Sequence, residues 1–110
     1  MAGTFELKNA AGEQFMWNLK AGNHEVILTS ELYKTKAAAQ NGIESVRNNA
    51  GNDQQFDRKT AKDGQFYFTL KAGNGQVIGK SEMYKSEAGR EKGIQSVKAN
   101  AANAAIKDIC

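Results

Sequence analysis

Two stretches of the chain alternate with a period of two. In the first, Phe15, Trp17 and Leu19 point one way and Met16, Asn18 and Lys20 the other. In the second, Phe66, Phe68 and Leu70 oppose Tyr67, Thr69 and Lys71. Aromatics on one side of a two-residue period predict strands buried on one face only. Shorter apolar segments around Phe5-Glu6-Leu7-Lys8 and Phe56-Asp57-Arg58-Lys59 predict a strand before each. Val26-Ile27-Leu28 and Val77-Ile78 predict a strand after each. Ala11-Gly12-Glu13 and Lys62-Asp63-Gly64 mark the first turn of each set, and Ala21-Gly22-Asn23-His24 and Ala72-Gly73-Asn74-Gly75 the second. Asp63-Gly64 is expected to form a type I′ turn, with positive φ at both central residues.

The period then changes. Ala39, Ile43, Val46 and Ala50 fall on one helical face, and Ile94, Val97 and Ala101 repeat it. Gln40, Glu44, Arg47 and Glu91, Gln95, Lys98 supply the polar sides. Thr35 and Ser86 precede these runs, and each hydroxyl can accept a hydrogen bond from an early helical N–H. Gly42 and Gly93 lie inside the helices, where each costs about 1 kcal/mol relative to alanine. Their presence at matching places implies a close approach of helix to sheet.

These matching places belong to a tandem repeat. Shifting the chain by 51 positions lays Phe5 on Phe56 and Asn52 on Asn103, with about half the aligned residues identical. The unit is three strands, a helix and a closing strand. The predicted fold is α+β: a tandem duplicated β3-α-β unit forming one antiparallel sheet, with two helices packed on one face. A unit of about 50 residues is near the lower limit for independent folding. Residues 1–110 are therefore expected to form one domain of two repeats, 5–55 and 56–110. The final residues, AAIKDIC, include Ala105, Ile106 and Ile109 and are placed as a strand on an open sheet edge.

Composition narrows the chemistry. The chain has 110 residues, one Cys, one His and no Pro. An intramolecular disulfide and a multi-histidine metal centre are excluded, and no cofactor or metal site is expected. A lone thiol without an export signal points to the cytoplasm. No run reaches the length of a membrane span.

The motifs LKAGN-x-x-VI, SE-x-YK and GI-x-SV occur in both copies, over residues 5–103. They resemble those of the YegP-like family of small uncharacterised bacterial proteins. The resemblance implies a continuous sheet in which the repeats exchange their last strands. Gln54–Thr60 would join the repeats, and Ala105–Ile109 would return to copy one. It implies no biochemical activity.

Three features invite a functional reading. Ser30, Glu31, Tyr33 and Lys34, with Ser81, Glu82, Tyr84 and Lys85, place hydroxyl, carboxylate, phenol and ammonium groups between a strand and a helix. They are a candidate binding site, or an acid–base site if the carboxylates pair. The structural alternative has Ser and Glu satisfying backbone groups and Tyr packing over the sheet. The second feature is charge: residues 1–55 carry 5 basic and 6 acidic side chains, residues 56–110 carry 10 and 6. Arg58, Lys59, Tyr67, Lys71 and Lys80 form a candidate nucleic-acid face, against the plainer reading of a solvated lysine-rich surface. Third, Met16, Ile27, Tyr67 and Ile78 are expected on the helix-free face, as a surface for an unknown protein partner or self-association. His24 reads as a turn residue and Cys110 as a solvated tail. The AGNG run at 72–75 joins two strands and lacks the helix N-terminus of a phosphate loop. The favoured function is a non-enzymatic interaction or structural module. The alternatives are weak nucleic-acid binding and catalysis by the Ser-Glu-x-Tyr-Lys loops.

Overall fold

A computed structural model describes residues 3–110. Each repeat begins with a three-stranded meander. Strands β1 (Thr4–Ala10), β2 (Gln14–Lys20) and β3 (Val26–Ser30) precede helix α1 (Lys36–Asn49). A single 3-10 turn, Asp53–Gln55, leads to β4 (Phe56–Thr60), β5 (Phe66–Lys71), β6 (Val77–Lys80), helix α2 (Glu87–Ala101) and β7 (Ala105–Asp108). The seven strands form one sheet in the order β4-β5-β6-β3-β2-β1-β7. The two meanders meet along β3 and β6, which are antiparallel and share only the pairs Thr29↔Lys80 and Ser30↔Gly79.

The side chains explain why the halves stay together. Phe5, Leu7, Trp17, Leu19 and Leu28 are buried on the face that carries the helices, with Phe56, Phe68 and Leu70 as their counterparts. Each fully buried large side chain contributes roughly 2 kcal/mol relative to exposure. Phe5 meets Trp17 edge-on at 5.4 Å, and Phe56 meets Phe68 at 5.7 Å. The helices are shared: α1 lies over β1, β2, β5 and β6, while α2 lies over β3 and β5. Thr35 and Ser86 cap them, accepting from the N–H of Ala38 and Gly89 at 3.0 Å each.

Ile27 and Ile78 do not face outward. Both are buried in the core. Register slips in each third strand: Leu19 opposes Leu28 but Lys20 opposes Val26, leaving Ile27 extra, and Ile78 is the extra residue opposite Leu70–Lys71. A bulge breaks the period of two and places consecutive side chains on the same side. Only Met16 and Tyr67 of the proposed apolar surface lie on the helix-free face, each partly exposed.

The closing strand also departs from expectation. β7 pairs with β1, but in parallel, from Thr4↔Ala105 to Leu7↔Asp108, so the sheet is mixed. The chain leaves α1 and runs straight into β4, the first strand of the second meander. The equivalent exit from α2 meets β1 already in that slot, so it lies one strand further out, in the same direction. Arg47 fixes it by donating to the carbonyl of Ala104 at 2.5 Å, and Lys36 pairs with Asp108. The matching segment of copy one, Gln54–Asp57, spans the end of the 3-10 turn and the start of β4, which pairs with β5 of copy two.

Turns differ in kind from the expected type. Asp63 does not take positive φ; only Gly64 does, at 85°. The Gly64 N–H donates to Ala61 and the Ala61 N–H to Gln65, which is a longer loop closed by a left-handed glycine. The second turn has the same form, with Gly75 at φ 86° in copy two and His24 at φ 69° in copy one. A non-glycine residue there carries a steric cost of about 1–2 kcal/mol.

The helix glycines are explained by tyrosine. A Cβ on Gly42 would collide with the Tyr33 hydroxyl and lie 2.8 Å from its Cζ; on Gly93 it would collide with the Tyr84 hydroxyl and lie 2.7 Å from its Cζ. Gly42→Ala and Gly93→Ala should therefore each lower stability by roughly 1–2 kcal/mol in chemical denaturation, despite the better helix propensity of alanine. Adding Tyr33→Phe to Gly42→Ala should recover part of that loss, which a double-mutant cycle measures. His24→Gly should raise stability by roughly 0.5–1 kcal/mol in the same assay, the relief of positive φ exceeding the added chain entropy.

Candidate functional site

The two Ser-Glu-x-Tyr-Lys segments leave the ends of β3 and β6, at the seam between the repeats. Thr29, Ser30, Glu31, Lys80, Ser81, Glu82 and Met83 line a shallow depression of about 350 Å³. Glu31 and Glu82 are both exposed there, as are Lys34 and Lys85 beyond it.

The hydroxyls and phenols of these segments are committed elsewhere. Ser30 Oγ accepts from the Trp17 N–H at 2.9 Å and donates to the Glu31 carbonyl at 2.7 Å. Ser81 repeats this with Phe68 and Glu82, at 2.9 and 2.8 Å. Each serine thus replaces a ladder bond where its strand departs. Tyr33 and Tyr84 bridge by backbone to Phe15 and Phe66, and their rings go under the helices. The Tyr84 ring stacks on Phe68 at 6.4 Å. Burial, with the neighbouring Glu31 or Glu82 carboxylate adding to it, pushes both phenols above their ordinary value, so they stay protonated. The depression therefore holds two exposed carboxylates, Lys80 and Thr29, with the serines committed to the backbone.

A second cleft of about 290 Å³ lies between the β2–β3 turn and α2, lined by Asn23, Glu25, Ile27, Tyr84, Lys92 and Ser96 among others. It draws on both copies, so no local motif announces it. His24 is exposed on the nearby turn, and Cys110 is an exposed free thiol. No group of three or more His, Cys, Asp or Glu suited to a metal exists among the described residues.

The proposed basic face divides. Lys59, Tyr67, Lys71 and Lys80 are on the helix-free side, where Lys80 sits over the Tyr67 ring at 5.0 Å and Asp57 pairs with both Lys59 and Lys71 at 3.3 Å. Arg58 is not with them. It alternates to the helix side, where it donates to Glu91 at 2.7 and 2.9 Å and to Asp53 at 3.1 Å. Arg58 and then Lys98 hold the Asp53 carboxyl down at about 2. The helix-free side also carries three further lysines, two from the first half of the chain and one from β7. Lys8 alternates outward from buried Leu7, Lys20 pairs with Glu6 at 3.0 Å, and Lys107 lies beside Glu6 in register.

Fold and site together define a two-layer α+β protein, with two helices on one face of a seven-stranded sheet. The chain belongs to the family described as a domain of unknown function (DUF1508), whose model matches it twice, over residues 7–57 and 61–108. Similar proteins include a UPF0339 protein of Bordetella pertussis, 59% identical over 98% of this chain and 96% of its own. The UPF0339 protein YegP of Escherichia coli K12 is 53% identical over 98% of both chains. The solution structure of E. coli YegP, a protein of unknown function, superposes with a TM-score of 0.94 at 52% identity, covering 99% of this chain and 94% of that one. That of a UPF0339 protein from Shewanella oneidensis gives 0.93 at 50% identity, covering 99% and 92%.

If the serines serve the fold, their removal has a structural signature. Ser81→Ala should cost roughly 1–3 kcal/mol, because it strips a buried backbone N–H of its acceptor. Glu82→Gln, on an exposed side chain, should stay within about 0.5 kcal/mol. Urea denaturation of the two variants makes the comparison.

Proposed function

We propose that this protein is a non-enzymatic interaction module that presents the helix-free face of its sheet to a partner. The observation that carries the reading is the division of labour between the two sides of the sheet. The Ser and Tyr groups that would equip a catalytic loop are spent on backbone bonds and helix seating. The opposite face, by contrast, carries no described helix and exposes Lys80 and Lys107, with Glu6, Met16, Thr29, Asp57 and Tyr67 partly exposed. The reading takes residues 1–110 as one domain of two repeats, 5–55 and 56–110, each a β3-α-β unit, joined by the crossing of the last strand. The double match of the family model supports that division. We further infer a cytoplasmic location, which a single unpaired thiol supports.

The test compares two triple variants, both checked for folding by circular dichroism. One reverses charge on the sheet face (Lys20→Glu, Lys71→Glu, Lys80→Glu). The other alters the solvent side of the helices (Gln40→Glu, Asn48→Glu, Gln95→Glu). Capture of partners from a lysate of the native cells should be lost in the first and kept in the second. Capture that survives the first variant, or is lost only in the second, would show that the sheet face is not the contact surface. Self-association through this face would instead appear as a mass change in the wild type that the first variant abolishes.

A further inference from the structure

The pairing registers align one side chain from each of the seven strands. From β4 to β7 the row reads Asp57, Thr69, Lys80, Thr29, Asn18, Glu6 and Lys107, each in register with the next. With strands about 4.8 Å apart, the row crosses roughly 29 Å of sheet. It lies on the helix-free face, since its members alternate with Phe5, Leu7, Leu19, Phe56, Phe68 and Leu70 on the buried side. Lys8, Lys20, Lys59 and Lys71 flank it. The face therefore carries six lysines against Glu6 and Asp57 along the strands and Glu31 and Glu82 at the rim of the central depression. Cations thus outnumber carboxylates on it by two, within a chain of net charge +3.

We propose that this row is a docking strip for single-stranded nucleic acid. The proposal rests on the reading of the sheet face as a contact surface and names its partner. Two observations favour this polyanion over an acidic protein surface, beyond the lysines, which as point charges suit either. Between the charges Thr29 offers a partly exposed hydroxyl, whereas Asn18 and Thr69 are only 7% and 6% exposed. Near its centre the Tyr67 ring stands on the same face under the Lys80 ammonium. Beside Lys80, Thr69 Oγ1 is buried without a hydrogen-bond partner, whereas its counterpart Asn18 donates to Thr29 at 2.9 Å. A phosphate that draws Lys80 off the ring would free the Tyr67 face for base stacking and open Thr69 to a polar contact.

The test is an amide NMR titration of the full chain with dodeca-uridylate and dodeca-thymidylate, and separately with polyglutamate of matched charge. The expected result is binding of one or both oligonucleotides, with shifts along the row at Thr69, Lys80, Thr29 and Asn18. About four phosphate contacts predict a roughly 50-fold fall in affinity between about 50 and about 200 mM salt. Tyr67→Ala should weaken binding roughly tenfold with the salt slope unchanged, and Tyr67→Phe should restore it. RNA preference would separate uridylate from thymidylate. Failure of both oligonucleotides to bind at low salt overturns the proposal. So does polyglutamate binding the row as tightly, which would leave the contact surface standing with an acidic protein as its partner. Oligonucleotide binding that leaves the row unmoved overturns both the proposal and the reading beneath it.

Discussion

The structure depends on a seam two residue pairs long. β3 and β6 join the halves through Thr29↔Lys80 and Ser30↔Gly79 alone, too few ladder bonds to hold two meanders together unaided. The helices make up the difference. Because α1 reaches β5 and β6 and α2 reaches β3, each repeat completes the apolar cover of the other. The bulges at Ile27 and Ile78 belong to this arrangement: they turn an additional large side chain per repeat under the helix of the opposite copy. Each half, near the size at which a core ceases to be self-sufficient, is finished by its neighbour.

Helix seating in turn explains the most regular motif in the chain. The Tyr of each Ser-Glu-x-Tyr-Lys segment inserts its hydroxyl where a helical side chain would otherwise stand, which requires Gly42 and Gly93. The preceding serine compensates the backbone as the strand veers away to deliver that tyrosine. A polar cluster between strand and helix is thus a hinge made of packing and backbone bonds. Its carboxylates and ammonium groups are what remains for solvent, at the edge of the basic face.

Much of this was legible from periodicity and internal symmetry. Alternation found the strands, helical spacing found the helices, Thr35 and Ser86 marked their starts, and paired glycines announced the close contact. The orientation of Ile27 and Ile78 was hidden because a bulge alters side without altering composition. Arg58 belongs to the basic half but not to the basic face, because strand alternation sorts charge by side; Lys8 and Lys20 reach that face from the acidic half for the same reason. The parallel docking of β7 was invisible locally, since it follows from β1 already filling the place to which the chain after α2 is directed. The cleft beside Tyr84 joins two copies and has no linear signature.

At the seam, the repeats differ where they would be expected to match. Leu28 and Gly79 occupy equivalent positions, and a Cβ on Gly79 would lie 2.7 Å from Leu28 Cγ. One side supplies bulk and the other a vacancy. Two identical halves could not do this: a pair of leucines would collide, and a pair of glycines would leave a hole. Duplication within one chain allowed the halves to diverge into complementary partners. The same divergence discriminates against mispairing, because repeat one of one molecule meeting repeat one of another would set leucine against leucine. The asymmetry at a single residue thus directs each half to the opposite kind of half and away from its own kind.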